Sequence, residues 1–92
     1  MPTKNTYFGK VEAVNLKDKK ISLKYLIGKT LEQTIEIDLG LYKPQIGQEV
    51  TIKRRRVPTT HTPTFEYNFY VLAKNGYEQN YLGSVKDLPG AN

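Results

Sequence analysis

The chain has 92 residues, with 14 Lys plus Arg against 9 Asp plus Glu for a net charge of +5, and neither Cys nor Trp. A chain this long makes one small domain that leaves roughly a third of its unfolded-state surface exposed, so a deep cavity for a large cofactor is not expected. The missing cysteines exclude a disulfide framework, a thiol nucleophile and any Cys-ligated metal, and the pI near 9.5 favours an acidic partner.

No apolar h-region follows Met1-Pro2-Thr3-Lys4, and no apolar run approaches the length of a membrane span. The expectation is a cytoplasmic protein without a signal peptide or membrane contact. Period-two alternation then runs through the chain. The first strand covers about Tyr7 to Leu16. Val11 and Val14 are three apart, which breaks strict alternation and predicts a bulge near Glu12 or Ala13 that turns both inward. Asn15, Lys17, Asp18 and Lys19 form a polar turn.

In the second strand Ile21, Leu23, Tyr25 and Ile27 alternate with Lys20, Ser22, Lys24 and Leu26. In the third Leu31, Gln33, Ile35, Ile37 and Leu39 alternate with Glu32, Thr34, Glu36 and Asp38. Both apolar sets sit at odd positions, so paired positions must sum to an even number. A three-residue loop, Gly28-Lys29-Thr30, satisfies this and pairs Leu23 with Ile35 and Ile21 with Ile37. It also places Lys20 opposite Asp38 and Lys24 within reach of Glu32 and Glu36, a charge ladder worth about 0.2–1 kcal/mol per pair.

Pro44 argues against a long helix between Gly40 and Gln48, leaving room for a single helical turn. The fourth strand spans Glu49 to Arg56, with Val50 and Ile52 inward. Val57 to Thr64, with two prolines and His61, is a loop or extended connector. A fifth strand follows from Phe65 to Ala73. Asn75-Gly76 predicts a type I′ turn that pairs Phe69 with Leu82, Tyr70 with Tyr81, Leu72 with Gln79 and Lys74 with Tyr77. The ends, about 1–5 and 86–92, are expected to fray.

Five or six short strands with little or no helix must hide their edges. The expected fold is therefore all-β: residues 1–92 form one small antiparallel barrel. The strand sequence resembles an OB-like barrel or, alternatively, an SH3-like one, in architecture only.

The charge is uneven. Residues 1–56 carry 12 basic and 6 acidic side chains, and residues 57–92 carry 2 and 3. The densest feature is Lys53-Arg54-Arg55-Arg56. Continuing the parity of Val50 and Ile52 would bury Arg54, and burying an unpaired guanidinium is costly. The strand must therefore leave the core by about Arg54, or project as a ribbon. Clustered arginines grip phosphate, but a solvated strand end that blocks edge pairing would look the same.

Six of the ten aromatic residues lie between Phe65 and Tyr81. The hairpin register places Tyr70, Tyr77 and Tyr81 with Lys74 and Gln79 on a polar β face. Stacking on such rings is worth about 1–3 kcal/mol per base. Tyrosine also stabilises hairpins and dominates protein interfaces, so packing or protein binding explains any single Tyr slightly better than base stacking does.

No chemistry-bearing constellation accompanies these features. His61 has no second ligand at a metal-type spacing. No glycine-rich phosphate loop opens a helix, and Gly83-Ser84-Val85 is not a nucleophile elbow. The sequence predicts no catalytic residue, metal, cofactor or small-molecule substrate. The leading expectation is a non-enzymatic protein that binds single-stranded DNA or RNA through Lys53, Arg54, Arg55, Arg56, Tyr70, Lys74, Tyr77 and Tyr81. The alternative is a protein-interaction or assembly module, an accessory subunit or phage-type structural component, using the same tyrosines. A homodimer is compatible with both.

Overall fold

A computed structural model of the chain describes residues 5–58, 64–73, 76 and 79–91. The alternation becomes six strands: β1 Thr6–Asn15, β2 Lys20–Ile27, β3 Leu31–Asp38, β4 Glu49–Val57, β5 Thr64–Leu72 and β6 Gln79–Val85. All neighbours are antiparallel, in one sheet of order β3-β2-β1-β4-β5-β6. Among the described residues there is no helix. No helix among them is long and apolar enough to cross a membrane.

The β2–β3 hairpin has the predicted register, with Ile21 opposite Ile37, Leu23 opposite Ile35 and Lys20 opposite Asp38. Gly28 takes a left-handed φ of 69° in its loop. Leu31, at the loop end, is exposed and does not join the core. β1 carries the expected bulge. Its register shifts between Val11 and Ala13, which leaves Val11 buried and Val14 packed against the core. Asn15 and Asp18 close the following turn, Asn15 Oδ1 accepting from the Asp18 amide at 3.0 Å.

Residues 39–48 form turns without a helical one. The backbone of this segment docks on the β1 bulge, with Val11 N donating to Gln48 O at 2.9 Å and Gly47 N to Val11 O at 2.8 Å. Side chains from all six strands pack behind the concave inner surface, and Ile21, Leu23, Ile52, Phe69 and Val71 are fully buried there.

The structure corrects three expectations. First, β6 does not follow one register. Tyr70–Tyr81 and Leu72–Gln79 pair as predicted, but beyond them Phe69 faces Gly83 and not Leu82. This second bulge brings Leu82 inward and lets Val85, three residues on, pack against the core. Second, the sheet is not hydrogen-bonded into a closed barrel. β3 and β6 remain its edges, separated near Ile37 and Gly83 by a cleft of about 190 Å³. Third, residues 86–91 do not project as a frayed tail. Leu88 and Ala91 are buried, and Tyr25 Oη donates to the Pro89 carbonyl at 2.5 Å. Of the two outcomes expected for the basic run, the ribbon is the one found: β4 pairs with β5 as far as Val57, while β1 pairs with it only to Lys53. The end of β4 is thus a two-stranded ribbon with β5. His61 and the Asn75 position of the predicted type I′ turn lie outside the described residues.

Candidate nucleic-acid interface

β4 and β5 run in register, so alternation splits the basic run between two faces. Lys53 and Arg55 share the outer face with Thr51, Asn68 and Tyr70. Arg54 and Arg56 share the inner face with Phe65 and Tyr67. The four cations therefore do not form one patch.

Arg54 is the most constrained of them. Its guanidinium carbon lies 4.2 Å from the Phe65 ring centroid, and Nη2 donates to Asn5 Oδ1 at 2.9 Å. Ring contact and the amide oxygen replace part of the water that half-burial removes. Arg55 and Arg56 are exposed.

On the outer face, Lys53 Nζ sits 5.3 Å from the centroid of Tyr70 and 3.3 Å from Gln79 Oε1, to which it donates. Tyr70 meets Tyr81 across the β5–β6 pair, with centroids 5.7 Å apart and planes tilted by 58°. The Tyr81 hydroxyl shares a hydrogen bond with Ser84, whose Oγ donates to Asn68 Oδ1. This chain of hydrogen bonds holds the edge of an exposed ring in place. Lys53, Tyr70 and Tyr81 thus come together, the tyrosines in the predicted pairing and Lys53 through the β4–β5 register, which the sequence left open. Lys74 and Tyr77 lie outside the described residues.

Two lysines of β2 are locally neutralised. Lys20 pairs with Asp38, and Lys24 lies 3.3 Å from Glu32 and 3.8 Å from Glu12. The hydrogen bond to Asp38 raises the pKa of Lys20, and that to Glu32 raises Lys24. Among the described residues no carboxylate forms an ion pair with Lys53, Arg54, Arg55 or Arg56. The end of β4 is thus the densest run of unpaired cations, although Glu66 stands opposite Arg55 in register.

Phe8 is the residue that the sequence reading missed. It stands 63% exposed on the outer face. The register runs Phe8–Thr51–Tyr70–Tyr81 straight across β1, β4, β5 and β6. The signal was available: Tyr7 and Val11 face inward, so Phe8 must face outward. Beside it the outer face sinks into a groove of about 550 Å³ bordered by Phe8, Leu26, Thr51 and Leu72.

The groove depends on Gly9, which pairs with Tyr25. A Cβ at position 9 would lie 2.3 Å from the Lys24 carbonyl oxygen. Only glycine permits this approach of β1 to β2. The chain matches no protein-family model, no curated protein and no solved structure.

Proposed function

We propose that this protein is a non-enzymatic binder of single-stranded nucleic acid. The observation that carries the reading is the Lys53 ammonium against Tyr70, with the exposed Tyr81 ring beside it and, among the described residues, no anion paired to the lysine. Single-strand binders combine cations for the backbone with rings on which bases stack. In this reading Lys53 and Arg55 meet phosphates, and Tyr70 and Tyr81 meet bases. Lys74 and Tyr77, outside the described residues, belong to the proposed site on the sequence reading alone. Arg54 and Arg56 flank it from the opposite face of the ribbon. The curled sheet is read as a small barrel left open between β3 and β6, OB-like or SH3-like.

The test is a fluorescence titration with a labelled oligonucleotide at two salt concentrations. Micromolar binding at low salt that weakens linearly in log–log form supports the reading, and its absence removes it. A second reading, a protein-interaction or assembly module, is favoured by Leu16, Leu41 and Ile46, large apolar side chains exposed away from the strand faces. For that module the expected result is partner capture that survives charge reversal at Arg55. Sedimentation decides whether either form is a homodimer.

A further inference from the structure

The groove beside Gly9 is within the size range of small-ligand sites, about 300–1,000 Å³. Its walls are Phe8, Leu26 and Leu72, and its floor is the close-packed backbone of Gly9, Tyr25 and Val50. The charges that line it balance, Lys10 and Lys24 against Glu32 and Glu49. Lys24 lies 3.3 Å from Glu32, and Lys10 stands opposite Glu49 in register. A phosphate gains little from a neutral rim. A flat, uncharged group with apolar faces and polar edges gains from both parts: its faces meet Phe8 and Leu26, and its edges meet ammonium donors and carboxylate acceptors.

We propose that this groove receives one unstacked nucleobase of the bound strand, laid against the Phe8 ring. The proposal rests on the nucleic-acid reading above. Continuity favours a base over a side chain of a protein partner. Phe8 ends the cross-strand row that passes through Thr51 to Tyr70 and Tyr81, so a strand stacked on the tyrosines is led to the groove. Adjacent strands lie about 4.8 Å apart, which makes the row from Tyr81 to Phe8 about 14 Å long, enough for a few nucleotides. The phosphates stay outside the groove, toward Lys53 and Arg55. The slot would make binding respond to the base at one position, whereas the tyrosine face tolerates any base.

The experiment is fluorescence anisotropy with a short labelled oligothymidylate and an abasic oligomer of the same length. Both are titrated against the wild type, Phe8→Ala, Phe8→Trp and Tyr81→Ala. Phe8 is exposed, so its variants are expected to fold, and circular dichroism checks that they do. The expected result is a loss of about tenfold for Phe8→Ala on oligothymidylate, with near wild-type affinity for Phe8→Trp. Abasic binding and the salt slope stay unchanged. Wild-type affinity in Phe8→Ala together with loss in Tyr81→Ala overturns the base slot and leaves the nucleic-acid reading standing. An equal loss of Phe8→Ala on the abasic oligomer also overturns the slot, because the contact would then be to the backbone. No binding of either oligomer by the wild type overturns both.

Discussion

Two residues show how single side chains shape the site and the fold. Gly9 has no room for a Cβ, because the backbone oxygen of Lys24 occupies that space and cannot move without breaking the β1–β2 ladder. Gly9→Ala is expected to destabilise by about 1–3 kcal/mol or more, read as a lower midpoint in urea denaturation. Tyr25 is buried with its hydroxyl on the Pro89 carbonyl, and desolvation first, then the Asp87 charge, pushes its pKa up to about 12. Tyr7 shifts the same way, through burial first and Tyr67 second. An unfolded tyrosine ionises near pH 10. Between about pH 10 and 12 the folded state therefore holds a proton that the unfolded state has lost, and stability falls as pH rises. Urea midpoints measured across that range should decline in the wild type and decline less in Tyr25→Phe.

At the scale of elements, the strands and most of their pairing were legible. In β2 and β3 both apolar sets share one parity, so only one class of register keeps the core dry. The bulge at Glu12 was legible because Val11 and Val14 are apolar and three apart. Leu82 and Val85 carry the same spacing, and the same reading there would have placed the second bulge. The C-terminal segment was not legible, because its proline and glycine read as punctuation. The burial of Leu88 depends on the open end of the curled sheet near Tyr25 and Ile27, which no local pattern encodes. Leu88→Ala should cost about 2–5 kcal/mol if the tail is part of the core, and about zero if it is a loose end. Chemical denaturation distinguishes the two.

For the whole molecule, the question is where the charge faces. Alternation places Arg55 on the outer face and Arg56 on the inner one, although they are neighbours in sequence and equally charged. If the outer face binds the strand, Arg55→Glu weakens oligonucleotide binding more than Arg56→Glu does. A log–log salt slope of about −0.7 per neutralised phosphate should shrink by about that amount in the Arg55 variant only. Titrations of both variants at several salt concentrations measure this. Equal effects would show that the cations act as a diffuse field and not as a face.

The sequence by itself determined the strand pattern, the β2–β3 register, the first bulge and the pairing of Tyr70 with Tyr81. These follow from a two-residue period and from pairing parity, which are local rules. Tertiary structure alone decided that the sheet stays open between β3 and β6, that the tail docks against Tyr25, and that Arg54 is carried by Phe65 and Asn5. It also decided the groove at Gly9. Those features depend on how far the sheet coils and how closely two strands approach. That coiling is set by bulges, a missing Cβ and packing summed over the whole core, none of which a single strand's pattern contains.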